Sequence, residues 1–198
     1  MQILNPDAAE DRKLLPFNKY SRQLNWLIKD IAKAGVVMAK KHVKTNALRI
    51  LENAGIAAQM TQVSSKGEFL DALTIAQELG VDPQLVFKTL VLEGEPGEHF
   101  VAVVPATHEL DLKAAAKCFG VKHLAMLPLK KLTPLTGYIK GACSPLGMKK
   151  DLPTVIDQSA FEQEKIYVSA GKRGYQILVA AVDLQRLISA RQGDISRP

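Results

Sequence analysis

Residues 86–106 read VFKTLVLEGEPGEHFVAVVPA, two apolar runs joined by Glu95-Pro96-Gly97-Glu98. Both runs are rich in Val, Leu and Phe, and Pro-Gly is turn chemistry, so the segment spells a β-hairpin. Period-two alternation in the first run puts Val86, Lys88 and Leu90 on one face and Phe87, Thr89 and Val91 on the other. Lys88 is the residue out of place, a cation among apolar neighbours on both faces. It is either an ammonium held at a pocket wall, where low dielectric strengthens its pull on an oxygen, or an edge lysine whose stem packs while its head reaches water.

Outward from the hairpin the chain alternates short elements. Upstream, Thr45 or Asn46 caps a helix ending at Gly55, and a strand is expected near 56–63. Residues 68–79 form an amphipathic helix closed by Gly80, and Asp82-Pro83 opens a helical turn. Downstream, Asp111 caps LKAAAKCF, which stops at Gly120; VKHLAML (121–127) reads as a strand and PLKKLTPL (128–135) as a short helix. Further strands are expected around 138–143, 154–157, 165–169 and 175–181, then a last helix from Asp183. Hairpin-joined strands interleaved with short helices predict a mixed α/β domain with a largely antiparallel sheet.

The chain has 198 residues, 47% hydrophobic and 23% charged, which is ordinary globular composition and enough for one domain with a core. Its longest apolar run, Ile177 to Val182, is six residues, against about 20 for a membrane-spanning helix. Cys118 and Cys143 show no CxxC spacing and read as reduced thiols, and the acidic first residues lack a signal-peptide core. Together these imply a cytoplasmic protein. Leu24, Leu27, Ile28 and Ile31 mark one helical face before Gly35, and Met38 begins a basic MAKKHVK. Residues 1–37 are therefore expected to be an extension, partly helical or disordered, that carries Trp26, with the domain proper over 38–198.

Net charge is +6, and Lys113 to Lys150 holds eight lysines and no acid. This is either a basic face that follows a phosphate backbone or a solvated surface scattered around the fold. The loop GYIKGACSPLGMKK (137–150) sets Gly137, Gly141 and Gly147 around Ser144-Pro145; such loops can offer main-chain amides to an oxyanion or phosphate, and many are only turns. Ser144 lacks the GxSxG context of a hydrolase elbow, and Cys143 reads as a small buried thiol. SAGKRG (169–174) is a tight glycine turn between strands with Lys172 and Arg173 at its tip, without a nucleotide fingerprint. Asp157 ends the run PTVID, as partner to a buried cation or as a cap for the next segment. The four histidines show no metal-ligand spacing, so neither metal nor cofactor is expected.

The strings VFKTLV, LDLKAAAKCFGVK, TGYIKGACSPLGMKKDLPTVID and IYVSAGKRG, in this order from about Lys44 onward, resemble the YbaK/EbsC family. Its members are Cys-tRNA(Pro) deacylases related to the editing domain of bacterial prolyl-tRNA synthetase. The resemblance implies a strongly bent sheet enclosing a pocket, with Lys88 the catalytic lysine that holds the aminoacyl ester end of the tRNA. It places Gly141, Ala142 and Ser144 on the lining loop, Asp157 near Lys88, and Gly171 on a second lining turn. It implies no protein nucleophile: the mischarged cysteine supplies its own thiol, and the protein contributes positioning and electrostatics. The partners implied are the tRNA acceptor end and prolyl-tRNA synthetase. Val63 stands where some members carry tyrosine, and Ala142 and Ala170 stand at family glycines, so a positive φ at Ala142 would be strained. The expected function is trans-acting editing. The alternatives are a non-catalytic tRNA- or synthetase-binding module, a small-molecule binder that uses Lys88 as an anion anchor, and a deacylase for another small residue such as alanine.

Overall fold

The computed structural model describes residues 43–64 and 69–198. The expected extension, its helical face, Trp26 and the 37/38 boundary lie outside the described residues.

The hairpin forms as read. Strand β2 (Phe87–Glu93) pairs antiparallel with β3 (His99–Pro105) through seven registered positions, from Phe87 opposite Pro105 to Glu93 opposite His99. Glu98 N–H donates to the Glu95 carbonyl at 2.9 Å, and Gly97 takes φ +92° in the turn. From Phe100 to Pro105 every residue of β3 is buried. Such a strand needs cover on both edges and both faces, and its second edge pairs in parallel with β6 (Thr154–Asp157). The sheet is completed by β5 (Ala125–Met126) beside β2 and β9 (Arg191–Gly193) beside β6, in the order β5-β2-β3-β6-β9. A second, antiparallel sheet runs β1 (Gln59–Gln62), β8 (Tyr175–Val179), β7 (Ile166–Ser169). A two-residue pair joins β4 (Glu109–Leu110) to the C-terminal β10 (Ser196–Arg197).

Helices start and stop on local chemistry. Thr45 caps α1 (Asn46–Asn53), Asp71 caps α2 (Ala72–Leu79) and Asp111 caps α3 (Leu112–Phe119), each side chain accepting main-chain N–H groups of the first turn. The second helix thus begins after Asp71 rather than at residue 68. Two further helices are α4 (Leu129–Thr136) and α5 (Ala181–Leu187). The main core gathers Leu51, Phe87, Val101, Val103, Leu146, Ile156, Ile166, Val168, Ile177 and Leu184 between the sheets and α1 and α5. At roughly 1.5–3 kcal/mol for each fully buried large apolar side chain, this cluster is the main stabilising term.

Three expectations change. Residues 138–143 are not a strand, because Gly137 and Gly141 take φ +82° and +81° and turn the chain within five residues. Tyr138 is drawn into the loop instead, its hydroxyl donating to the Leu146 carbonyl at 2.6 Å. The strand expected over 121–127 contracts to Ala125–Met126. The last helix begins at Ala181 rather than Asp183, and the chain beyond it adds β9 and β10. Among the described residues no helix is long and apolar enough to cross a membrane, and no group of His, Cys, Asp or Glu is arranged to hold a metal ion.

Candidate active site

The strand β2 is fully paired along one edge and covered only at its two ends along the other. Ala106 N–H donates to the Val86 carbonyl at 2.7 Å, and Pro105, which has no N–H, stands opposite Phe87. Alternation along an antiparallel ladder then turns the main-chain groups of Phe87, Thr89 and Val91 away from β3. On that far edge β5 pairs with Leu92 and Glu93, Leu127 N–H donates to the Val91 carbonyl at 2.9 Å, and a bridge to Tyr167 sits at Val86. The stretch between faces a cavity of about 620 Å³. Its wall is built from α2 and the residues before it (Phe69, Leu73, Ile75), β2, the β4 strand, α4 (Leu129, Leu132) and the loop residues Lys140, Gly141 and Cys143.

Lys88 lies in this wall. Its side chain is 24% exposed, and Nζ is 3.7 Å from Oε1 of Glu109, a carboxylate that is itself 90% exposed. An exposed pair of that length contributes at most a few tenths of a kcal/mol to about 1 kcal/mol, so the ammonium is kept available rather than locked. Thr89 beside it carries, among the described residues, the buried side-chain oxygen with no hydrogen-bond partner.

Gly141 is the second sequence-predicted residue that lines the cavity. With φ +81°, it lets the Phe69 ring close over it: a Cβ there would stand 2.5 Å from Phe69 Cδ2. Lys140 Nζ lies 4.8 Å from the centroid of the same ring, a cation–π contact at the cavity mouth.

The other four predicted residues frame the site without lining it. Ala142 N–H donates to the Ile139 carbonyl at 3.0 Å, so this amide is committed to a turn. Ala142 does not have positive φ, and the strain expected there is absent. Ser144 is fully buried, and its Oγ accepts from Leu146 N–H at 3.3 Å. Gly171 packs against Tyr138, where a Cβ would stand 2.8 Å from Cε1, and Arg173 Nε donates to the Lys140 carbonyl at 3.0 Å. The two glycine turns are thus brought together, with Tyr138 between them. Asp157 does not line the cavity. It lies on β6, across β3 from Lys88, and is 2% exposed. Its Oδ1 accepts from Ser159 N–H (3.0 Å) and Oγ–H (2.6 Å), and its Oδ2 accepts from Ile195 N–H (3.1 Å). It is the cap of its two readings, not a partner of Lys88.

No described side chain in the wall is equipped as a nucleophile. Burial pushes the Cys143 thiol up to about 12, which keeps it protonated at neutral pH. Burial, and to a smaller extent Cys143, also pushes the Tyr138 phenol up. Among the described residues no histidine lines the cavity. Of the eight lysines in 113–150 only Lys140 is in the wall. Lys130 and Lys131 ride on α4 beside it, and Lys131 pairs with Glu93 at 2.7 Å. Sequence reasoning missed Phe69, Thr89 and Glu109; only Thr89 carried a local signal, as the polar neighbour of Lys88.

A mixed sheet, a lysine on a partly covered strand and a glycine loop thus meet around one largely apolar cavity. The aminoacyl-tRNA editing domain family matches residues 68–187, and this chain belongs to that family, whose activity is aminoacyl-tRNA deacylation. It is similar to EbsC of Enterococcus faecalis (strain ATCC 700802 / V583), a provisionally named Cys-tRNA(Pro)/Cys-tRNA(Cys) deacylase. The two are 42% identical over 161 residues, covering 80% of this chain and 98% of EbsC. A shorter match, 29% over 83 residues, covers 42% of this chain and 14% of the proline–tRNA ligase of Pelobacter propionicus (strain DSM 2379 / NBRC 103807 / OttBd1). Among solved structures, a provisionally named trans-editing enzyme for prolyl tRNA synthetase superposes with TM-score 0.67 at 22% identity. That match covers 76% of this chain and 94% of the other, and it establishes the shared fold.

Proposed function

We propose that this protein is a cytoplasmic trans-editing deacylase whose domain, residues 38–198, hydrolyses Cys-tRNA(Pro), with prolyl-tRNA synthetase supplying the mischarged tRNA. The observation that carries the reading is Lys88: a half-buried ammonium in the wall of a largely apolar cavity, beside a glycine loop and without a protein nucleophile. In such a cavity a fixed cation is worth far more against a developing oxyanion than it would be in water. Lys88 holds the ester end and stabilises the negative charge that forms on its carbonyl oxygen. Gly141 lets the loop backbone approach the reacting carbon closely. Ala142, Ser144, Asp157 and Gly171 hold the loop and sheet in register around it.

The nucleophile is the substrate's own thiol. Its sulfur bonds to the ester carbonyl carbon, the bond from that carbon to the ribose oxygen breaks, and the thiol proton ends on the ribose oxygen. The amino acid departs as a cyclic thioester, which water opens outside the site. Holding sulfur and carbonyl in a near-attack geometry is the protein's main contribution.

The test compares Cys-tRNA(Pro), Ala-tRNA(Pro) and Pro-tRNA(Pro) as substrates for the full chain, with and without prolyl-tRNA synthetase. Fast loss of the cysteinyl ester alone is expected. Equal loss of the alanyl ester rejects thiol assistance, and no loss of any ester rejects the deacylase reading.

A further inference from the structure

The cavity holds two cations, Lys88 and Lys140, and its substrate brings a third. The α-amino group of an aminoacyl ester is largely protonated near neutral pH and sits one carbon from the carbonyl that Lys88 serves. An ammonium placed between two lysines in an apolar wall is repelled unless an anion faces it. Two carboxylates line the cavity, Asp71 and Glu109. Asp71 is already committed: Oδ1 accepts from Leu73 N–H and Thr74 N–H at 3.0 Å each, and Oδ2 from the Thr74 hydroxyl at 2.7 Å. Glu109 makes only the loose 3.7 Å approach to Lys88.

The fold holds Glu109 in place while leaving its carboxylate uncommitted. Strand β4 has two residues and is pinned by β10, with Glu109 opposite Arg197 and Leu110 opposite Ser196. Asp111 N–H donates to the Ile195 carbonyl at 2.8 Å, fastening the same segment from its other side. Arg197, the cross-strand neighbour of Glu109 and its obvious partner, instead pairs with Asp111. The chain's C-terminal strand thus fixes the backbone of Glu109 and diverts the nearest arginine from it.

We infer that Glu109 is the receptor for the free α-amino group of the aminoacyl ester and makes the enzyme selective against N-blocked esters such as peptidyl- or formylaminoacyl-tRNA. This rests on the deacylase reading above. Lys88 and Glu109 form a dipolar pair matched to the two ends of the aminoacyl unit, the ester oxygens at the cation and the amine at the anion. An acylated amine has neither the charge nor the third hydrogen, and its added bulk meets the carboxylate.

The experiment measures kcat/KM on Cys-tRNA(Pro) and N-acetyl-Cys-tRNA(Pro) for the full chain and for Glu109→Gln and Glu109→Asp. The parent is expected to favour the free amine by at least about tenfold, the scale of one lost charge-assisted hydrogen bond. Glu109→Gln should lose about tenfold on the free amine and less than twofold on the acetylated ester, with its melting temperature unchanged, and Glu109→Asp should recover part of the preference. Parallel loss on both esters, or no loss on either, overturns the inference. Calorimetric binding of 3′-cysteinylamino-3′-deoxyadenosine, an amide that cannot deacylate in this way, and of its N-acetyl form separates the two readings. A chain that hydrolyses no ester yet binds the free amine about tenfold tighter, with Glu109→Gln erasing the difference, keeps the amine receptor and loses the deacylase assignment. Equal binding of the two amides overturns the receptor whatever the hydrolysis shows.

Discussion

Lys88 and Asp157 are both charged residues in the five-stranded sheet, on β2 and β6 with β3 between them, and the two have opposite accounts. Asp157 is 2% exposed and accepts three hydrogen bonds, which tie the end of β6 to the following turn and to the C-terminal segment. Lys88 sits in a cavity wall with one loose, exposed counter-charge. A buried charge whose lone pairs are filled by its own protein holds structure; a charge left under-satisfied in a cavity wall is available for a ligand. The same contrast recurs at smaller scale between Asp71, filled by its helix cap, and Glu109, whose carboxylate makes only a loose approach to Lys88.

Replacing Lys88 by alanine sharpens the contrast most. It should lower the rate of single-turnover deacylation by on the order of 10²–10³, while the melting temperature holds. An active Lys88→Ala protein would break the comparison at its first member. Asp157→Ala should do the reverse: about 3 kcal/mol less stable in urea unfolding, because Ile195 N–H and Ser159 lose their acceptor, with activity retained in the fraction that stays folded. If it unfolds no earlier than the parent, the filled charge is not holding the structure.

Between these poles lies Gly141→Ala, which puts a Cβ at φ +81° and against the Phe69 ring. The backbone alone should cost about 1–2 kcal/mol, and displacement of Phe69 should reduce deacylation about tenfold. A crystal structure showing Phe69 unmoved would argue that the ring has no part in closing the site. Thr89→Val tests the orphan hydroxyl beside Lys88: removing a buried group without a partner should raise stability by about 1 kcal/mol. A lower melting temperature would mean that the oxygen has a partner in solution.

The smallest effect concerns the capping carboxylates. Main-chain hydrogen bonds from Thr74 and Ala114 come first in holding Asp71 and Asp111 below the usual carboxylate range, with Arg197 adding to the effect at Asp111. A depressed native pKa makes the caps fully stabilising above the unfolded value of 3.8 and weakens them as pH falls through the lower folded value. Stability should therefore be flat with respect to these two groups from neutrality to about pH 5 and decline below pH 4. Asp111→Asn should flatten that decline in acid-titrated circular dichroism; an unchanged curve would remove Asp111 from it.

Much of this was written locally. The hairpin at 86–106, the Asp111 cap, the glycine stops at 55, 80 and 120 and the anomaly of Lys88 follow from periodicity and turn chemistry, which act over a few residues. The ordered motifs also carried the family. The 138–143 segment was misread because apolar content suggested a strand, whereas positive φ at Gly137 and Gly141 and the Tyr138 hydroxyl bond made a loop. Asp157 was expected near Lys88 by family likeness; its hydrogen bonds go instead to Ser159, which is local, and to Ile195, 38 residues away in sequence.

The sequence by itself therefore determined the hairpin, the helix caps and glycine stops, and the oddity of a lysine among apolar neighbours, since each depends on residues close in the chain. Only the tertiary structure decided that β2 is covered on one edge only near its ends, that Phe69 closes over Gly141, and that a two-residue strand pinned by β10 sets Glu109 against Lys88. Strand order and cavity walls are contacts between segments tens of residues apart, selected by the packing of the whole core rather than by any local pattern.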